Sequence, residues 1–239
     1  MSVLRLVNLN KSFGALVVAD SVTMDVMAGE ALGIIGPNGA GKSTLFNLIA
    51  GNITADSGSI EFNGADVTSA PTMQRTKAGI GRTFQIPQPF ENMTVFENLL
   101  AAAAFGQDRP EAQLVDECAE ILEKTGLLTQ ANLPAGKLSL LERKRLELSR
   151  ALATRPELLL LDEIAGGLTE AECQSLVGTI RDIHARGVTI VWIEHVLHAL
   201  TSVVERLVVL DFGRIIASGA PNKVIMMDEV REIYLGMEA

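Results

Sequence analysis

Ala31-Leu-Gly-Ile-Ile-Gly-Pro-Asn-Gly-Ala-Gly-Lys-Ser-Thr44 joins an apolar run to a helix-forming segment through a glycine-rich turn. From Gly36 to Ser43 the turn reads G-x-x-x-x-G-K-S, the pattern of a phosphate-cradling loop. The run before it, Ala31 to Ile35, is short and apolar throughout, as in a strand buried on both faces of a parallel sheet. Lys42 to Ala50 has helical spacing and stops at Gly51, a usual C-terminal glycine. The chemistry needs these residue types. Glycines let backbone N–H groups curl around phosphate oxygens. The helix beginning near Lys42 points its positive end at the same anion. Lys42 supplies charge to the β- and γ-phosphates, and the Ser43 hydroxyl can ligate Mg²⁺. Gly36, Pro37, Asn38, Gly39, Ala40, Gly41, Lys42, Ser43 and Thr44 are therefore the candidate nucleotide-binding residues. The loop by itself does not separate ATPases, GTPases and small-molecule kinases. A guanine-reading N-K-x-D is absent from the sequence, which disfavours a GTPase.

A second apolar run, Leu158-Leu-Leu-Leu161, ends in Asp162-Glu163. Ligands of parallel sheets gather at the carboxyl ends of strands, so the two acids fall beside the phosphate loop if their strands are neighbours. Asp162 can hold the Mg²⁺ shell, and Glu163 can orient or deprotonate an attacking water. The alternative is a surface acid pair that merely ends a strand.

Working outward, the first third reads as strands at Val3 to Leu9, Val17 to Val26, Ser59 to Phe62 and Ile80 to Gln85, with a turn at Asn63-Gly64. From Thr94 to Arg155 the pattern is almost wholly helical, opened by Thr94 with Glu97 three residues on, a capping-box arrangement. Pro110, Gly126, Pro134 and Gly136 punctuate it. The last third alternates again: helices over Glu170 to Ala185 and Val196 to Val204, strands at Val188 to Ile193, Leu207 to Leu210 and Ile215 to Ala217, and a closing helix from Glu229 to Leu235. This interleaving predicts an α/β fold with a mostly parallel, covered sheet and a helical insert.

Composition narrows the function. The 239 residues carry a formal net charge of −9 and are 48% hydrophobic but only 4% aromatic. That acidity argues against binding nucleic acid or anionic lipid through a basic surface. Cys118 and Cys173 each stand alone in helical segments and read as buried thiols, with no zinc spacing. No signal peptide is apparent, and the longest apolar stretches fall well short of the ~20 residues of a membrane span, so a soluble chain is expected.

The phosphate loop, Gln85, the segment LSLLERKRLELSRAL from Leu138, LLLLDE and His195 occur in the order and spacing of ABC-type ATP-binding subunits, which the chain resembles over nearly its whole length. More narrowly, GRTFQIPQPFENMTVFENLL, the LTEAE segment and the ending REIYLG resemble the branched-chain amino acid transport ATPases. The resemblance implies a P-loop NTPase with a RecA-like core, an antiparallel β subdomain and a helical subdomain. It implies one ABC-type domain over residues 1–239, with 1–85 and 156–239 forming the catalytic core with the β subdomain and 86–155 the helical subdomain. It implies ATP and Mg²⁺ as cofactors, and transmembrane permease subunits and a second ATPase subunit, in a hetero- or homodimer, as partners. A solute-binding protein acts indirectly, and no nucleic acid is involved. The expected location is peripheral, on the cytoplasmic face of the inner membrane.

The same resemblance assigns roles. Phe13 sits where an aromatic stacks on adenine, although an ordinary core phenylalanine would read the same. Gln85 resembles the residue that ligates Mg²⁺ and senses the membrane partner. His195 resembles the switch histidine at the γ-phosphate, against the alternative of a structural histidine after a strand. Ser139 opens the signature helix that reaches the ATP of the opposite subunit. Two segments depart from the family: Leu138-Ser-Leu-Leu-Glu142 replaces Leu-Ser-Gly-Gly-Gln, and Gly166-Gly-Leu-Thr169 stands where Ser-Ala-Leu-Asp is frequent. Both touch the contact between subunits. An importer motor is the leading expectation, with a lipid or lipopolysaccharide exporter motor and a soluble, non-transport ABC ATPase as alternatives.

Overall fold

The computed structural model describes residues 1–107 and 109–235, so Gly236 of the REIYLG ending lies outside the described residues. The chain opens with the hairpin β1 (Ser2–Phe13) and β2 (Leu16–Met27), turned at Gly14. Both strands outrun the 3–9 and 17–26 read from sequence because they pair from Ser2↔Met27 to Phe13↔Leu16. There follow β3 (Ala31–Ile35), α1 (Lys42–Ala50), β4 (Ser57–Phe62), β5 (Ala65–Asp66), α2 (Thr72–Ala78) and β6 (Ile80–Arg82). The helical insert holds α3 (Val95–Gln107), α4 (Val115–Lys124) and α5 (Leu140–Ala153), joined by turns at the predicted prolines and glycines. The chain returns through β7 (Leu158–Asp162), α6 (Glu170–His184), β8 (Thr189–Ile193), α7 (Leu197–Thr201), β9 (Arg206–Asp211), β10 (Arg214–Gly219), α8 (Pro221–Val224) and α9 (Asp228–Leu235).

Two sheets result. One is antiparallel, in the order β2-β1-β4-β5; the other runs β10-β9-β3-β8-β7-β6 and is parallel except for β10. Every residue of β3, β7 and β8 is buried. Strand alternation explains why their sequences are apolar throughout: Leu32, Ile34, Leu158 and Leu160 face one core, while Ala31, Ile35, Leu159 and Leu161 face another. The insert packs about a third cluster that includes Val95, Leu99, Leu122 and Leu146. Cys118 is buried in this cluster, and burial pushes its thiol up to about 11; Cys173 is buried as well.

Two expectations are shortened. The strand read as Ile80 to Gln85 ends at Arg82; among the described residues β6 is a sheet edge paired with β7 alone. Thr83 still donates to Leu160 O at 2.9 Å, and the chain then leaves the sheet. The helix read as Val196 to Val204 is the five-residue α7, since the Leu200 carbonyl accepts both Val203 N and Val204 N and closes it. The Thr94 cap forms as read: Glu97 N donates to Thr94 Oγ1 at 3.1 Å and Thr94 N to Glu97 Oε2 at 2.8 Å.

Candidate nucleotide site

The phosphate loop spans the end of β3 and the start of α1, and its shape depends on missing side chains. A Cβ on Gly36 would lie 2.0 Å from Leu210 O, and one on Gly41, at φ 100°, 2.2 Å from Val18 O. Both glycines are therefore pressed on neighbouring backbone that no larger residue could clear. The turn between β9 and β10 braces the loop, Gly213 N donating to Ala40 O at 2.9 Å. Asn38, Gly39 and Ser43 remain exposed at the mouth. Inside, Lys42 Nζ donates to Gly36 O (2.7 Å) and Pro37 O (2.9 Å). Burial pushes its pKa down, and the charges of Glu163 and Asp162 oppose that shift.

β7 delivers the two acids to the same end of the sheet. Glu163 takes a left-handed backbone, φ 45°, uncommon for a residue with a Cβ. Its N–H donates to Ile193 O at 2.9 Å, which ties the acid to β8. Its carboxylate is bracketed: Gln85 Nε2 donates to Oε2 at 2.5 Å, and His195 Nε2 lies 2.9 Å from Oε1. Two residues widely separated in sequence thus converge on the carboxylate of a third, and the His195 ring makes a specific site contact. Asp162 is held differently. Burial raises its pKa, while its 2.9 Å bond to Arg82 Nη2 lowers it.

Phe13 lies at the end of β1, half-exposed, with Lys11 Nζ 5.4 Å from its ring centroid; it is not a core residue. Ser139 is the N-cap of α5: its Oγ accepts from Glu142 N at 3.4 Å, and Glu142 Oε2 accepts from Ser139 N at 2.8 Å. Leu140 beside it is 45% exposed.

Three further charged groups escaped the reading of the sequence. Arg82 pairs with Asp162. Lys144 on α5 is buried and reaches Glu163 O at 3.4 Å; burial pushes its pKa down, with Glu194 and Glu163 opposing. Glu194, 1% exposed, accepts from Ala165 N (3.0 Å) and His195 N (3.1 Å), fastening the loop after the acids to the histidine. Burial raises its pKa and those backbone bonds lower it. Arg82 and Lys144 lie in the quoted segments GRTFQ and LSLLERKRLELSRAL, and Glu194 follows the strand read to Ile193, but a sequence does not say which neighbour of a motif turns inward.

The arrangement can receive a phosphate chain at the loop and place a carboxylate beside it. Ser43 offers a hydroxyl, Asp162 a carboxylate and Gln85 an amide oxygen, a hard-oxygen set that suits Mg²⁺. A glycine-cradled loop between a buried parallel strand and a helix, with an Asp-Glu pair at the end of a sheet strand, defines a P-loop nucleotide hydrolase. Residues 19–166 match the ABC transporter family model, and the chain belongs to that family.

The chain is 34% identical to the lipopolysaccharide export system ATP-binding protein LptB of Haemophilus influenzae, over 99% of this chain and 98% of the relative. It is also 34% identical to the high-affinity branched-chain amino acid transport ATP-binding protein LivG of Escherichia coli, over 94% of each. A crystal structure of an ABC transporter ATP-binding cassette in its ADP conformation superposes with a TM-score of 0.90 at 34% identity, covering 99% of each chain. A nucleotide-free cassette superposes at 0.89 with the same identity, covering 98% of this chain and 99% of the other. The fold is that of the ABC ATP-binding domain, and the chain is an ATPase coupled to transport. Among the described residues no helix is long and apolar enough to cross a membrane.

Proposed function

We propose that the chain is the ATP-hydrolysing motor of an importer for branched-chain amino acids or similar small polar solutes, working at the cytoplasmic face of the membrane against permease subunits. The observation that carries the motor assignment is the convergence of Gln85 and His195 on Glu163. Lys42 neutralises the phosphates, exchanging its bonds to Gly36 O and Pro37 O for phosphate oxygens. Ser43, Asp162 and the Gln85 amide oxygen would hold Mg²⁺, which supplies charge neutralisation between phosphates. Glu163 orients and deprotonates the attacking water, and His195 keeps its carboxylate aimed. Phe13 covers the base. Ser139 and the N-terminus of α5 serve the ATP of the opposing subunit. The division into a core (1–85, 156–239) and a helical subdomain (86–155) is the mechanical unit of this reading.

A groove of 470 Å³ supports the permease partner. It runs between the core and the insert, bordered by Phe84, Phe90, Phe105, Arg82 and Arg150. Its three phenylalanines are about half exposed, and Ile86 beside them is more so. An apolar groove rimmed by arginines suits a short helix of a membrane subunit. Import is supported by the likeness to the LivG protein and by the GRTFQIPQPFENMTVFENLL stretch. The equal likeness to LptB favours lipopolysaccharide export as the second reading. Reconstitution with permease subunits and a solute-binding protein of the branched-chain amino acid type, in vesicles with labelled leucine, tests the choice. ATP-dependent uptake is expected; no uptake, with release of lipopolysaccharide instead, would establish the exporter.

A further inference from the structure

A guanidinium lies between the groove and the acid assigned to the cation. Arg82 Nη2 is 2.9 Å from Asp162 Oδ2, and only 9% and 7% of the two side chains are exposed. Arg82 Nη1 donates to Asn47 Oδ1 on α1 at 2.6 Å and to Asn52 Oδ1 at 3.3 Å. The guanidinium carbon sits 5.0 Å from the Phe84 ring centroid and 5.7 Å from that of Phe46. Phe84 is half exposed and borders the groove together with Arg82 itself. One buried side chain thus touches the metal-site acid, the helix of the phosphate loop and an aromatic ring open to the docking face.

A carboxylate oxygen engaged by arginine at this distance already has its counter-charge. A divalent cation approaching it meets a like charge and must share or displace the arginine. An aromatic face over the guanidinium strengthens its hold on that position. We propose that Arg82 is a positioning residue that keeps Asp162 in waiting, so that Mg²⁺ binds in competition with it, and that Phe84 makes this hold responsive to what occupies the groove. The inference rests on Asp162 as the Mg²⁺ acid and on the groove as the permease face.

The test is a Mg²⁺ titration of the full chain saturated with a fluorescent ATP analogue, read by fluorescence at mildly alkaline pH. Arg82→Met should lower the Mg²⁺ midpoint roughly five- to tenfold, because the buried carboxylate loses its resident cation. Affinity for the analogue in EDTA should stay within about twofold, since the Arg82 guanidinium bonds to Asp162, Asn47 and Asn52, beside the loop and not in it. Arg82→Lys keeps a charge without the planar fork and should fall between. Phe84→Ala should lower the midpoint about two- to threefold by loosening the guanidinium. Asp162→Asn should raise the midpoint, and Arg82→Met added to it should change nothing further. An unchanged midpoint in Asp162→Asn overturns the metal-acid assignment itself. A raised midpoint there, with Arg82→Met unchanged or raised, overturns the competition. A shift in Arg82→Met without one in Phe84→Ala overturns the link to the groove. Should Arg82→Met fail to fold, Arg82→Lys and Phe84→Ala decide, and no fall in either overturns the proposal.

Discussion

The phosphate loop and the start of α5 both present a helix N-terminus, yet their side chains are confined very differently. At the loop, Gly36 and Gly41 abut backbone of β9 and β2 within the same chain, so their side-chain space is already occupied. At α5, the helix end is closed on itself by the Ser139–Glu142 capping box, and Leu140 stands exposed. Leu141 is partly buried against a core cluster, so the fold of one chain accommodates both leucines of the departed signature. On the proposed function, that helix end serves the other subunit's ATP, and selection on it acts in the assembled pair. On that reading the loop is constrained by its own chain's packing, and the α5 end by assembly as well.

The sharpest way to break this contrast is through the single-chain half of the site. Glu163→Gln keeps the shape of the bracketed carboxylate and removes its charge. Steady-state phosphate release should fall by about 10²- to 10⁴-fold while ATP binding persists and a closed dimer accumulates on size exclusion. Turnover at the parental rate would remove Glu163 from the chemistry.

Next in size is the cradle. Lys42→Ala should weaken a fluorescent ATP analogue by roughly ten- to a hundredfold, the scale of a lost charge-assisted hydrogen bond or two. Gly41→Ala should weaken it comparably and lower the melting temperature, because the new Cβ meets Val18 O. A Gly41→Ala protein that binds normally would show that packing does not fix the loop.

The shared half should respond less and only in company. We propose a heterodimer in which the partner's intact signature serves one site and this chain's altered signature serves the other. Leu140→Gly with Leu141→Gly should then raise ATPase activity of the isolated chain several-fold and change the full complex by less, as for any step limited by the better site. A fast isolated chain that the glycines do not accelerate ends the asymmetric-site idea.

The smallest effect separates capping from catalysis. Ser139→Ala and Thr94→Ala each remove a helix cap, and each should cost about 1 kcal/mol, or ~2–4 °C in melting temperature for a chain of this length. Only Ser139→Ala should also lower turnover of the assembled complex. Equal turnover in the two variants would confine Ser139 to its cap.

Some of this was legible residue by residue. The phosphate loop could be read because its chemistry demands a contiguous run, and β3, β7 and β8 because strands buried on both faces must be apolar throughout. Strand ends were less legible. β1 extends to Phe13 because β2 pairs with it to Leu16, whereas β6 stops at Arg82 because the chain turns away from β7, which runs on to Asp162.

By itself, the sequence determined the family, the cradle, the acid pair and the helical insert, since each is a local pattern whose physics is complete within a few turns of chain. Only the tertiary structure decided that Gln85 and His195 meet on Glu163, that Glu194 fastens His195 to Ala165, and that Arg82 faces Asp162 rather than solvent. Those are pairings between strand ends brought together by the β3-β8-β7-β6 order. A side chain's partner is set by strand order and burial, and neither quantity is written at the position of the residue itself.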